Sequence, residues 1–193
     1  MRIFLAVFPP PDVQRAAGAV VEALRSPGDG VSWVKPENLH YTLRFIGEVG
    51  GDGLRRVAEA AQVAANQHAA FDAALGGLGG FPTTRRARVL WIGMARGGPA
   101  LESLAASLDR ELERRGFEPE AQAFTAHLTI GRVREPRADW TDRLAEATKT
   151  LGEPPFRADR IAVVESALSP KGPTYSVRMA ASLGASGAGS GPS

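Results

Sequence analysis

The chain contains no cysteine, which removes disulfides, thiolate zinc sites and cysteine nucleophiles in one step and suits a reducing compartment such as the cytoplasm. Long apolar runs are lacking too, since none approaches the roughly 20 residues that a bilayer-crossing helix needs. The opening MRIFLAVFPPPD carries six apolar residues, Ile3 to Phe8, before its prolines. A secretory signal needs an apolar stretch of roughly 7 to 15, so this segment reads as a first strand and no membrane contact is expected. Nor does one sign of charge dominate. With 23 basic and 21 acidic residues interspersed, the net charge is +2, and any contact with a polyanion must be local. Histidine is scarce, at three in 193 residues.

What is present, 44% hydrophobic and 23% charged residues, is the composition of an ordinary globular chain of one or two domains. After the first strand, PDVQRAAGAVVEALRS places Val13, Ala17, Val20, Val21 and Leu24 on one helical stripe behind a Pro-Asp start. NLHYTLRFIG then reads as a strand, DGLRRVAEAAQVAANQH as a helix, and FDAALGGLGGF and ARVLWIGMA as strands around the basic loop PTTRRA. The same order returns in PALESLAASLDRELERRG, FTAHLTIGRV, DWTDRLAEATKTLG, FRADRIAVVESAL and TYSVRMAA.

One offset relates the two series. His40 to His127 is 87 residues, and adding 87 carries Asp12 to Pro99, Arg88–Ile92 to Tyr175–Met179, and Thr84–Arg86 to Lys171–Pro173. Little residue identity survives outside the histidine phrase, and the period is too long for a solenoid, so the repeat is structural. The expected fold is α+β and bilobal: two antiparallel sheets flanked by helices, related by a pseudo-twofold axis with a central cleft. It is expected to span residues 1–181 as a single domain, with the Gly- and Ser-rich 182–193 as a flexible tail. GGLGG at 76–80 leads into a strand with no Gly-Lys-Ser/Thr after it, so it is not expected to cradle a nucleotide.

In a strand, side chains at i and i+2 share a face, so His40 emerges with Thr42 and His127 with Thr129, while Leu39, Tyr41, Leu43, Ala126, Leu128 and Ile130 point into a core. If the lobes face each other, two imidazoles and two hydroxyls line one cleft. A tetrahedral or pentacoordinate phosphorus centre would use that set. Hydroxyls hold its non-bridging oxygens, one imidazole takes a proton from the attacking water or hydroxyl, and the other gives one to the leaving oxygen. An isolated His-x-Thr is more often a core histidine beside a strand threonine. Two of only three histidines in matched phrases make that explanation weak. No metal or other cofactor is needed by this scheme. His68, without such a phrase, reads as a surface or helix-capping residue.

WVKPENLHYTLRFIGEV, FPTTRRARVLWIGM, HLTIGRV and ALSPKGPTYSV together resemble the two-histidine phosphoesterases, and within them the RNA 2',3'-cyclic phosphodiesterases also called 2'-5' RNA ligases. The resemblance covers residues 1 to about 181. It implies a bilobal α+β fold, metal-independent opening of a 2',3'-cyclic phosphate to a 2'-phosphate, and in some members reversible 2'-5' joining of tRNA halves. It also implies His40 as general acid on the leaving O3', His127 as general base for water, and Thr42, Thr129 and Arg132 as phosphate ligands. On the residues alone, a near-symmetric site could run in either direction.

Parity sharpens the arginines. Arg44 falls on the His40 face of an ideal strand, whereas Arg132 falls opposite His127 unless Gly131 supports a bulge, so an irregularity is expected there. Arg44, Arg85, Arg86, Lys171 and Tyr175 are candidates for RNA contact, and Phe45 reads as a core residue. Three alternatives stand beside the leading one: a non-catalytic module binding RNA ends, a phosphodiesterase for another small cyclic phosphate, and a metal enzyme using the two histidines as ligands. The last lacks a supporting carboxylate or His-Glu-x-x-His spacing. The expected partner is RNA with cyclic-phosphate ends, tRNA halves among them, met by a monomer.

Overall fold

The computed structural model describes residues 1–135, 138–170 and 172–184. Among the described residues four α-helices, α1 (Pro11–Leu24), α2 (Gly51–Asn66), α3 (Gly98–Glu113) and α4 (Thr141–Leu151), alternate with nine strands. These are β1 (Arg2–Val7), β2 (Val31–Trp33), β3 (Tyr41–Glu48), β4 (Phe71–Phe81), β5 (Val89–Arg96), β6 (Leu128–Val133), β7 (Pro155–Ala158), β8 (Arg160–Ser169) and β9 (Gly172–Ser182). GGLGG lies inside β4. Pro11 at the start of α1 has no backbone N–H to leave unpaired, and Asp12 places negative charge at the positive end of the helix dipole.

The strands form one antiparallel sheet in the order β7-β4-β5-β6-β3-β1-β8-β9, with β2 added on β6. Where two sheets were expected there are two half-sheets, joined at β3 and β6 by a single residue pair, Tyr41 opposite Leu128. Because 41 plus 87 is 128, each residue faces its own equivalent, and the pseudo-twofold axis passes between them. β7 and β8 are nearly continuous in sequence but belong to different halves: β7 pairs with β4, and β8 pairs with β1.

The helices cover one face of the sheet. Val13, Ala17, Val20, Val21 and Leu24 of α1 and Leu101, Leu104, Leu108 and Leu112 of α3 pack into a core shared with Ile3, Leu5, Val7, Leu39, Tyr41, Leu128 and Ile130. Each large side chain removed from water there contributes roughly 1.5–3 kcal/mol. On the opposite face, Phe4, Ala6, Ala162 and Val164 form a small second cluster with Phe8 and Tyr175 packed against it. β1 thus alternates between the helix-covered core and the floor of the cleft. The core extends past the expected boundary at residue 181: Ser182 ends β9, and Leu183, 8% exposed, packs with the main cluster. Among the described residues no helix is long and apolar enough to cross a membrane.

Candidate active site

His40 and His127 enter β3 and β6 one residue before each strand begins, on either side of the pseudo-twofold axis. With Tyr41 opposite Leu128, antiparallel register sets His40 level with Thr129 and Thr42 level with His127. The two imidazoles are then diagonal neighbours, residues about 7–8 Å apart with their Cβ atoms somewhat closer, a gap that accommodates a phosphate between the rings.

The ring orientation repeats as faithfully as the backbone. His40 Nδ1 lies 2.7 Å from the Asn38 carbonyl oxygen and His127 Nδ1 lies 2.8 Å from that of Thr125. Asn38 and Thr125 are themselves 87 residues apart. A carbonyl only accepts, so in both rings Nδ1–H is the donor and Nε2 is left free to take or give a proton. The segment that carries the Asn38 carbonyl is held in turn. Gln14 of α1 donates to the Leu39 and Glu37 carbonyls at 3.0 and 3.4 Å, and Asn38 Nδ2 donates to the Pro173 carbonyl at the base of β9. Aromatic rings wall each imidazole: Phe4, Phe8 and Tyr175 stand 4.8, 5.2 and 5.4 Å from His40, and Phe81 stands edge-on 5.2 Å from His127.

Both strands carry a bulge just past the threonine. On β6, Trp91 pairs with Thr129 and Leu90 with Gly131, so Ile130 is the extra residue and the alternation inverts. Arg132 therefore reaches the cleft, where it lines the recesses on both sides of the axis. Close approach favours glycine at 131: a Cβ there would lie 2.7 Å from Val31 Cγ1 and 3.0 Å from Trp33 Cε3, where β2 pairs with β6. The irregularity expected at Gly131 is present.

The same bulge occurs on β3, where Ala6 pairs with Thr42 and Leu5 with Arg44, leaving Leu43 as the extra residue. This inverts two expectations. Arg44, placed by parity beside His40, instead turns to the helix-covered side and is 8% exposed. Its guanidinium donates to the Glu118 carbonyl and stands 3.1 Å from Asp109 and 2.9 Å from Glu120. It clamps α3 and the approach to His127, and it lines neither recess of the cleft. Phe45, expected in the core, points into the cleft at 48% exposure with the Arg2 guanidinium 5.0 Å from its ring centre. Further along β3 a second bulge ends at Gly47, whose φ of 87° suits glycine.

Tyr175 lines the cleft beside His40, and its burial raises the phenol pKa against the opposing charges of Arg132 and Arg2. Arg85 and Arg86 lie in the exposed turn between β4 and β5 and line neither recess. Lys171 falls outside the described residues. His68 follows the end of α2, its backbone N–H 3.3 Å from the Ala65 carbonyl, and its ring reaches α3 through Nε2, 2.8 Å from Ser107 Oγ. Residues not singled out in the sequence also converge here: Arg2, Ser32, Lys35 and Arg134 line the recess on the His40 side. The signal available for Arg134 was its i+2 relation to Arg132.

Burial is the main cause holding the His40 pKa below the ordinary imidazole value, opposed by its bond to the Asn38 carbonyl and reinforced by the nearby His127 and Arg132. Unliganded, the cleft disfavours cationic His40 until an anion enters it. Among the described residues no group of three or more His, Cys, Asp or Glu side chains is placed to hold a metal ion.

This geometry agrees with what the chain is similar to. The model of the LigT like Phosphoesterase family matches it twice in succession, over residues 7–91 and 92–175. An RNA 2',3'-cyclic phosphodiesterase of Methanothermobacter thermautotrophicus is 35% identical over 178 residues, 91% of this chain and 95% of that protein. One from Archaeoglobus fulgidus is 36% identical over 176 residues, 91% and 96% of the two chains. A crystal structure from Thermus thermophilus superposes with a TM-score of 0.77 at 29% identity, covering 95% of this chain and 98% of the other. E. coli LigT complexed with 3'-AMP shares the fold, with a TM-score of 0.71 at 21% identity over 94% and 97%. The chain belongs to the LigT-like phosphoesterase family.

Proposed function

We propose that the protein hydrolyses 2',3'-cyclic phosphate ends of RNA to 2'-phosphates by two-histidine general acid–base catalysis. The observation that carries this reading is the paired orientation of the imidazoles. Each Nδ1 is fixed by the carbonyl two residues upstream, and the free Nε2 atoms flank one cleft with Arg132 at the centre. The names of the curated relatives supply the substrate class.

The two sides of the axis differ, and the difference supports one direction of the reaction. The recess on the His40 side holds about 600 Å³ and that on the His127 side about 390 Å³, and both share Thr129 and Arg132. A nucleoside fits the larger recess, which sets the ribose beside His40. Water then arrives through the smaller one. His127 Nε2 takes a proton from that water as its oxygen bonds to phosphorus. The P–O3' bond breaks opposite, and O3' takes the proton from His40 Nε2. Thr42 and Thr129 hydroxyls and Arg132 hold the non-bridging oxygens, whose charge also favours the cationic His40 that the step needs. Joining a 5'-hydroxyl in place of water gives a 2'-5' linkage by the same route, tRNA halves being candidate substrates.

The test is turnover of a short RNA ending in a 2',3'-cyclic phosphate, in excess EDTA, with identification of the product isomer. A 2'-phosphate is expected. His40→Ala and His127→Ala should each cost about 10²- to 10⁴-fold in kcat, with the double variant losing less than the product of the two. Undiminished activity in His40→Ala, or a 3'-phosphate product, would defeat the assignment.

A further inference from the structure

The cleft carries more positive charge than a cyclic phosphate can use. Arg2, Lys35, Arg132 and Arg134 all line the recess on the His40 side, and among the described residues no carboxylate does. Nor, among the described residues, does any of the four form an ion pair, whereas Arg55, Arg56, Arg114, Arg115, Arg157 and Arg160 all do. In a chain with 21 acidic residues, such a carboxylate-free concavity concentrates positive potential on whatever enters it. The recess on the His127 side has Arg132 as its only lysine or arginine among the described residues.

A 2',3'-cyclic phosphodiester carries a single negative charge, and Arg132, at the junction of the recesses, meets it. Arg2, Lys35 and Arg134 remain. Arg134 follows Arg132 by two positions, so their Cα atoms are about 6.6 Å apart along the strand, roughly one nucleotide step. Val133 between them is buried. Arg134 is held in this register by its backbone N–H to the Gly30 carbonyl at 2.9 Å, and Nε donates to Ser32 Oγ at 3.2 Å. The bulge in β3 presents Phe45 to the same recess, an exposed aromatic face with a guanidinium near its ring, suited to a nucleobase.

We propose that the His40-side recess is a strand subsite. It seats the terminal nucleoside against Phe45 and Arg2, and the phosphodiester immediately upstream on Arg134 and Lys35. The preferred substrate is then an RNA strand rather than a mononucleotide 2',3'-cyclic phosphate. This rests on the reading that the histidines act on a cyclic phosphate at an RNA end.

The experiment compares kcat/KM for a mononucleotide 2',3'-cyclic phosphate with that for di-, tri- and tetranucleotides bearing the same end, over a series of salt concentrations. The dinucleotide should be preferred by about tenfold or more, with a preference that weakens as salt rises. Arg134→Ala and Lys35→Ala should each bring the dinucleotide-to-mononucleotide ratio toward one and flatten its salt dependence, a ratio that general loss of folded protein would not change. Equal kcat/KM at every length, or a ratio unmoved in both variants, overturns the proposal. Absence of turnover at every length overturns the cyclic-phosphate reading itself and this subsite with it.

Discussion

Arg44→Met separates two roles that the same residue could hold. As a clamp, Arg44 supports two carboxylates and the Glu118 carbonyl from a site that is 8% exposed. Removing one member of a buried pair costs about 3–5 kcal/mol because the other charge is stranded. The loss here belongs at the low end, about 3 kcal/mol, for two reasons. The Glu120 side chain is 47% exposed and rehydrates easily. Asp109, at 25% exposure, holds its contact at 3.1 Å without hydrogen-bond alignment. In a chain of 193 residues each kcal/mol moves Tm by about 2–4 °C, so the variant should melt about 6–12 °C lower. As a phosphate ligand, Arg44 would instead contribute to the salt dependence of RNA binding, and its loss would flatten log Kd against log salt by about 0.7. Thermal unfolding and a salt titration of binding to a cyclic-phosphate RNA decide between them. A Tm within about 2 °C of the parent together with a flattened salt slope would refute the clamp.

Three further outcomes follow from the same contacts. Because burial and the charges of His127 and Arg132 hold His40 below its ordinary 6.5, the protonated acid is lost as pH rises through that lowered value. The alkaline limb of kcat/KM should therefore fall below pH about 6.5, while that of kcat moves upward once the bound anion favours the imidazolium. Alkaline limbs of kcat/KM and kcat that fall at the same pH would contradict this. Gly131→Ala forces a Cβ against Val31 and Trp33, so it should cost about 1–3 kcal/mol and lower kcat/KM as Arg132 and β2 shift. An unaltered Tm and rate would show that the close approach relaxes freely. Tyr41→Phe strands the Gly93 carbonyl that the phenol meets at 2.7 Å. Calorimetry should register a loss of about 1–3 kcal/mol with the pH profile unchanged, and a displaced profile would tie this buried ring to the chemistry.

Much of the architecture was legible because it rests on periodicity. The alternation of apolar residues around His40 and His127 gives the core and cleft faces directly, and Leu39, Tyr41, Leu43, Leu128 and Ile130 are all buried as that alternation requires. The 87-residue offset likewise fixes the pseudo-twofold axis, because Tyr41 pairs with its own equivalent. Parity arguments fail where an extra residue is inserted, and only tertiary pairing creates that insertion. At Gly131 a glycine announces it. At Leu43 nothing local does, so parity alone puts Arg44 and Phe45 on the wrong faces. Arg2 and Lys35 are illegible for a different reason: they come from β1 and the loop after β2, and only the fold gathers them with Arg132 and Arg134.

Those two bulges are one device used twice, and they explain how a duplicated scaffold can run a directional reaction. HYTLRF at 40–45 and HLTIGR at 127–132 are equivalent under the offset of 87. In each, the histidine and threonine face the cleft, the two residues after the threonine turn to the core side, and the sixth residue faces the cleft again. The shared positions, imidazole and hydroxyl, supply what a phosphorus centre needs on both of its sides. The sixth position departs from symmetry, with an aromatic ring at Phe45 and a guanidinium at Arg132. A base-stacking surface on one arm and a charge for the phosphate on the other allow one orientation of a nucleotide and disfavour its reverse. Exchanging the two, as Phe45→Arg with Arg132→Phe, keeps both bulges and both histidines while moving the cation off the junction. If the sixth position sets direction, that double variant should lose far more in kcat/KM than His-to-His spacing or folding would account for. Full activity in it would mean that the recess volumes alone choose the orientation.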